Sequence, residues 1–385
     1  RLFILRSNNM KTKFLSFLAA CLLAGTVLAD NLSGNIQGVE SGAVIVCSYD
    51  PANGQALMRD TVVLQNGAFS ITVPDRLMQI HVIAKPKDPA AAAMMMSPRN
   101  AFLFLPGDHL KLNGPVTALK PSGTRLYKEL DACGAWKNLH AKSDSLLRII
   151  NTCYQDKEKN QAILSRLMGQ LKEVYAEQKK VCKEIVMQQP GSLAAAYLVT
   201  LQPLNDAVPL IPLLQPEVQN GAFRSVFDRM KSDYEQARKR EEAQKTLVAG
   251  KKAPDFRLRD LKGQERTLAD FQGKYVLLDF WGTWCGWCIK GIPQMKEYYQ
   301  KYKDRMEIVG ICCNDTENAW RNGVTKHGLP WTNLYNGYEK EVTTRYAVSG
   351  FPTKVLIDPN GNLVQIFVGE SEELYQKLDK LFTNQ

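Results

Sequence analysis

Apolar and polar residues alternate in three different ways along the 385 residues. From Asn31 to about Val116 the apolar positions come in short, often β-branched runs: GAVIVCSY, TVVLQNGAFSITV, MQIHVIAK and AFLFLPGDHLKL. Asn-Gly, Pro and Gly-Asp turn signals part them. This predicts a small antiparallel β-sandwich, with a hairpin at Gln65-Asn66-Gly67. The AAAAMMM run at 90–96 is expected in a loop or a partly buried flap. From about Ser122 to Leu247 apolar residues recur every three or four positions with charges between them, which predicts helices. Pro190-Gly191 breaks that pattern, and Ser192 is placed to cap a helix over LAAAYLVTL. From Val248 onward strands and helices alternate: KYVLLDFW, MEIVGICCND, TKVLID and NLVQIFVG read as strands, CIKGIPQMKEYYQKYKD and SEELYQKLDKLF as helices. Such alternation implies a partly parallel sheet covered on both faces. The expected organisation is a leader at 1–29, a β domain at 30–120, a helical middle region at 121–247 and an α/β domain at 248–385.

Composition changes this picture little. With 45% apolar and 23% charged residues the chain can build real cores. The leader changes it more. Met10-Lys11-Thr12-Lys13 is a basic start, FLSFLAACLLAGTVLA is apolar, and Val27-Leu28-Ala29 offers a small-residue cleavage site. The start is expected at Met10, and the destination is the periplasm. A membrane anchor is the rival reading, for which the apolar run is short. Leu18-Ala19-Ala20-Cys21 resembles a lipobox, so lipid attachment at Cys21 competes with cleavage after Ala29. The apolar run continues past Cys21, which favours Ala29. Cleavage there removes Arg1, Arg6, Lys11 and Lys13 and no acid, so the formal charge falls from +10 to +6. No arginine-rich stripe interleaved with aromatics points to nucleic acid, and none is expected as a partner.

An exported chain meets an oxidising compartment, where cysteine serves disulfides or redox chemistry. Nine cysteines are present. Two of them, Cys285 and Cys288, form a C-x-x-C between a buried strand and a helix, the setting of a dithiol–disulfide centre. At the helix start unpaired N–H groups and the helix dipole favour a thiolate at Cys285. Cys285 would attack, and the more interior Cys288 would resolve the mixed disulfide. Zinc would need about four ligands. Cys312-Cys313 is adjacent rather than spaced, and His327 has no histidine nearby, so no metal is expected. An inert structural disulfide is the other plain reading. Neighbouring strand residues point to opposite faces, so Cys312 and Cys313 are not expected to pair. Cys153 and Cys182 lie on successive predicted helices and are candidates for a bridge; for Cys47, Cys133, Cys153 and Cys182 three connectivities are open.

The segment Asp279 to Cys288, DFWGTWCGWC, resembles the thioredoxin active-site stretch. Pro293 matches that family's helix-kinking proline, Gly350-Phe351-Pro352-Thr353 its cis-proline loop and Val368-Gly369 its last-strand glycine. The lead-in GKKAPDFRLRDLKGQERTLADFQGKYVLLDFW is similar to exported TlpA/ResA-like members of the AhpC/TSA-redoxin type. Residues 31–120 resemble the β domain of unknown function that precedes such folds in Gram-negative envelope proteins. The resemblance implies a thioredoxin-like fold over 248–385, with Cys285, Cys288, Pro352 and Asp279 as catalytic residues. Asp279 would be the buried acid that moves a proton. Trp284, Gly286, Trp287, Phe351 and Thr353 would contact substrate, and Trp281 would pack beside the site. It implies no cofactor.

Three departures from that family stand out. Trp287 replaces the usual proline inside the motif. Gly291 stands where ResA-like proteins carry a glutamate, which removes the proton role of that acid. The strand MEIVGICCND offers no lysine to pair with Asp279. The expected function is a periplasmic disulfide reductase acting on proteins with disulfides and reset by a membrane thiol donor. The alternatives are a peroxiredoxin-like thiol peroxidase and a non-enzymatic envelope binding or assembly module.

Overall fold

A computed structural model describes residues 30–39, 41–85 and 101–383. The leader, Cys21 and the AAAAMMM run lie outside the described residues. Contacts divide the chain into two compact units, one ending at Lys231 and one running from Ser232.

The first unit opens with eight strands: β1 (Leu32–Gln37), β2 (Ala43–Tyr49), β3 (Ala56–Val63), β4 (Ala68–Ile71), β5 (Met78–Ala84), β6 (Ala101–Phe104), β7 (Leu110–Pro115) and β8 (Lys120–Ser122). They form two four-stranded sheets, ordered β4-β1-β7-β8 and β3-β2-β5-β6. Leu32, Ile36, Leu110 and Leu112 from one sheet share a core with Val44, Val46, Ile80 and Val82 from the other. That is the sandwich expected from the alternating runs. Asn66 and Gly67 both have positive φ, and Gln65 and Ala68 exchange backbone hydrogen bonds of 2.8 and 2.9 Å, so the hairpin turns where Asn-Gly predicts it. The all-antiparallel expectation is corrected by β1, which pairs parallel with β7. Those strands are about 80 positions apart in sequence, so no turn signal links them.

Helices follow: α1 (Arg125–Ala132), α2 (Gly134–Cys153), α3 (Gln161–Gln188), α4 (Leu193–Thr200), α5 (Leu204–Ala207), α6 (Pro216–Gln219) and α7 (Arg224–Thr246). Ser192 caps α4, its hydroxyl accepting from Ala195 N at 3.3 Å and donating to Glu129 Oε2 at 2.8 Å. With its first turn fixed, α4 carries Ala194, Ala195, Ala196, Leu198 and Val199 fully into the core. Ile211, Phe223 and Phe227 close around them.

The second unit holds β9 (Leu258–Asp260), β10 (Glu265–Arg266), β11 (Tyr275–Trp281), α8 (Gly286–Tyr302), β12 (Met306–Cys313), α9 (Glu317–His327), β13 (Thr332–Gly337), α10 (Glu341–Arg345), β14 (Thr353–Ile357), β15 (Leu363–Val368) and α11 (Glu372–Thr383). One sheet runs β10-β9-β13-β12-β11-β14-β15. β11, β12 and β13 are parallel, and β14 and β15 return antiparallel. One cluster packs Trp281, Ile292, Met295 and Leu378 on one face, and another packs Phe280, Val309, Tyr346 and Val355 on the other. This is a thioredoxin-like fold. The run reading passed over α9 and β13. β13 is TNLYNG, with Asn333 and Asn336 buried, so its composition hides a strand.

Candidate active site

Strand β11 is buried almost throughout and ends at Trp281 beside the start of α8. Its chain then turns through Gly282-Thr283-Trp284 into the helix. Asp315, just past β12, holds this turn: its carboxylate accepts from Thr283 N at 2.7 Å and from Thr283 Oγ1 at 2.9 Å. The turn places Cys285 at the N-cap of α8, in an extended conformation. Cys285 and Cys288 are joined by a disulfide, with Cα atoms 5.3 Å apart. The Cys288 amide donates to Cys285 Sγ at 3.1 Å. Charge on that sulfur is therefore met by a helix-end N–H and by the positive end of the peptide dipoles. Cys285 and Cys288 are 6% and 4% exposed, so the first sulfur is nearly as covered as the second in the oxidised state.

The rim is aromatic. Trp284 is 52% and Trp287 65% exposed, unusual for indoles in a folded chain. Trp284 donates Nε1–H to the Cys313 carbonyl at 3.1 Å and meets Phe351 edge-on at 5.2 Å. Lys290 lies 5.0 Å over the Trp287 ring. A Cβ at Gly286 would meet nothing within 4 Å, so the helix start is open there. The Phe351–Pro352 peptide is cis, and the Pro352 carbonyl accepts from Gly369 N at 2.7 Å. Trp281 is buried in the core against both cysteines. Thr353 departs from expectation. It is 1% exposed, and its hydroxyl donates to the Gly350 carbonyl at 2.7 Å. Its side chain ties the proline loop from inside and offers nothing to a partner.

Asp279 belongs to a charge cluster whose other members, Lys354 and Glu370, were not legible in the sequence. Asp279 pairs in register with Lys354 of β14. Lys354 is 1% exposed; its ammonium is 3.6 Å from Asp279 Oδ1 and 2.6 Å from Glu370 Oε1. β12 supplies no lysine, but β11 is flanked on its other side by β14, which supplies the cation. The signal was a lone lysine inside TKVLI, where every residue is buried. Gly291 carries no carboxylate of its own, but the Glu370 carboxylate fills the space a Gly291 side chain would take. Burial raises the Asp279 pKa; Lys354 opposes that rise and Glu370 adds to it.

Among the described residues the remaining cysteines, Cys47, Cys133, Cys153, Cys182, Cys312 and Cys313, are free. Cys153 and Cys182 are not bridged, since they belong to different apolar clusters. Cys312 and Cys313 point to opposite faces of the sheet, and burial pushes both thiols well above their ordinary value. Among the described residues no group of three or more His, Cys, Asp or Glu is arranged to hold a metal ion.

A model of the AhpC/TSA family matches residues 249–366. The thiol-disulfide oxidoreductase ResA of Bacillus thuringiensis (strain Al Hakam) is 40% identical over 138 residues, covering 35% of this chain and 79% of that protein. ResA of Bacillus subtilis (strain 168) is 34% identical over 129 residues, covering 33% of this chain and 72% of that one. Among solved structures, the thioredoxin domain of a thiol-disulfide oxidoreductase from Bacteroides vulgatus is 33% identical, covers 35% of this chain and 98% of that one, and has a TM-score of 0.33.

Proposed function

Because the chain belongs, through its C-terminal unit, to the ResA-like thiol-disulfide oxidoreductases, we propose that it is a periplasmic disulfide reductase with Cys285 as nucleophile. In the reduced chain the Cys285 thiolate attacks a substrate disulfide. One substrate sulfur leaves and takes a proton, and the other stays bonded to Cys285. Cys288 loses its proton and attacks Cys285 Sγ. The second substrate thiol is released, and the Cys285–Cys288 disulfide forms. Asp279 takes the Cys288 proton, a task that suits a carboxyl whose pKa is raised by burial. A membrane thiol donor returns two electrons and two protons to reset the pair.

Trp284, Trp287 and Phe351 form the apolar landing surface for an extended substrate peptide, with the backbone of Phe351–Pro352 alongside. The observation that carries this reading is Cys285 at a helix N-cap with the Cys288 amide directed at its sulfur. Among the described residues no helix is long and apolar enough to cross a membrane.

Insulin reduction with dithiothreitol tests the reading. Wild type should accelerate it and Cys285→Ser should not; equal rates would refute the assigned nucleophile. The potential of the pair fixes direction: near about −270 mV marks a reductant and near about −120 mV an oxidant. Faster peroxide consumption than insulin reduction would favour the thiol peroxidase.

A further inference from the structure

Gly291 sits on α8 one turn past Cys288, and a Cβ there would lie 2.4 Å from the carboxylate carbon of Glu370. In glutamate the Cβ-to-carboxylate-carbon span is about 2.5 Å, two C–C bonds of roughly 1.5 Å. Glu370 thus brings its carboxylate, from the loop after β15, into the space that a side chain at 291 would take, at about the distance from Cβ that a glutamate's own carboxylate keeps. The missing side chain and the intruding one fit each other. The same carboxylate binds Lys354 at 2.6 Å, while Lys354 stays 3.6 Å from Asp279. Asp279 Oδ1 is buried and accepts no hydrogen bond.

We propose that Glu370 is a positioning residue of the dithiol site, holding Lys354 away from Asp279 so that Asp279 can take up and release the Cys288 proton. This rests on the role given to Asp279 above. Unshared, the ammonium would lock Asp279 as a carboxylate too weakly basic to draw a proton from a thiol. Shared with Glu370, whose side chain is 19% exposed, it leaves two carboxyls around one buried ammonium, which favours a proton on the buried Asp279. Beside them, Tyr375 on α11 is buried with its hydroxyl unpartnered and kept neutral by burial and by the Glu370 and Asp279 charges, and the Cys313 thiol on β12 is kept neutral by burial, so neither offsets the Asp279 charge. The disulfide of α8 carries no charge.

The step balances. Cys288–SH gives its proton to Asp279, its sulfur bonds to Cys285, the Cys285–substrate bond breaks, and the leaving thiolate is protonated from solvent as Asp279 sheds its proton.

The test uses the full chain, reduced and reacted with dithionitrobenzoate. The unimolecular second phase, in which Cys288 displaces thionitrobenzoate from Cys285, is followed from pH 4 to 9. In wild type its midpoint should lie above the ordinary carboxylate range. Glu370→Ala and the isosteric Glu370→Gln should move it acidward by about 1–3 pH units. Gly291→Glu added to Glu370→Ala should return it to the wild-type position. A midpoint unmoved in both single variants, or unrestored in the double variant, overturns the assignment. Asp279→Asn separates the two ideas. If it leaves the wild-type profile intact, the proton role of Asp279 fails and this inference with it. If it abolishes the midpoint while the Glu370 variants leave it unmoved, only Glu370 is wrong.

Discussion

Cys182 in the first unit and Cys285 in the second are both buried sulfurs near helices, yet their surroundings differ. Cys182 lies within α3 in the same apolar cluster as Val181, Val186 and Ala195, and burial pushes its thiol up to about 12. Cys285 stands at the N-cap of its helix, its sulfur accepting a hydrogen bond from the Cys288 amide. The same element can therefore insulate a thiol or activate it, depending on which end the sulfur meets. Burial sets the cost of a charge, and helix position decides whether anything offsets it.

The largest effect expected from breaking this difference is at the dithiol. Cys288→Ser should leave Cys285 able to attack but unable to let go, so insulin turnover falls at least about a hundredfold. Covalent mixed disulfides with substrate should accumulate on gels. Cys182→Ala and Cys133→Ser should leave turnover unchanged. Asp279→Asn comes next, slowing the resolving step about 10²-fold.

It should also change stability, with a sign set by the raised pKa. Between the unfolded and folded pKa values the native state binds the extra proton. Native stability therefore declines as pH rises through that window. Asparagine removes the decline, so denaturant melts should find the variant more stable at pH 8 by roughly 1–3 kcal/mol and no different near pH 3.

A third change separates scaffold from chemistry. A Cβ on Gly34 would come within 1.9 Å of the Leu112 carbonyl oxygen, so Gly34→Ala should force β1 and β7 apart. The first unit should lose about 1–3 kcal/mol while dithiol kinetics stay unchanged. The smallest effect is expected for Cys312→Ala. Its thiol is buried and donates to Asp315 at 3.3 Å, so the variant should lose about 1 kcal/mol with little change in turnover.

What could be read in the sequence was contiguous. The dithiol, Asp279 and the proline loop each sit in a short stretch whose neighbours announce a strand, a helix start or a turn. The partners of Asp279 could not be read that way. Lys354 reaches it through the antiparallel pairing of β11 with β14, and Glu370 through the loop after β15, both long-range matters of register. The β1–β7 pair was hidden for the same reason. Thr353 was expected at the surface from its place in the proline loop, and the burial of its side chain at the start of β14 could not be read from that resemblance.

The account stands on Cys285 being a thiolate at neutral pH. Iodoacetamide labelling of the reduced full chain, followed by peptide mass spectrometry from pH 4 to 10, compares it directly with Cys133, a half-buried thiol whose pKa is raised by burial and Glu129. The account predicts half-maximal labelling of Cys285 well below the ordinary thiol value of about 8.5, with Cys133 labelled only above it. Coincident titration of the two sulfurs would contradict it.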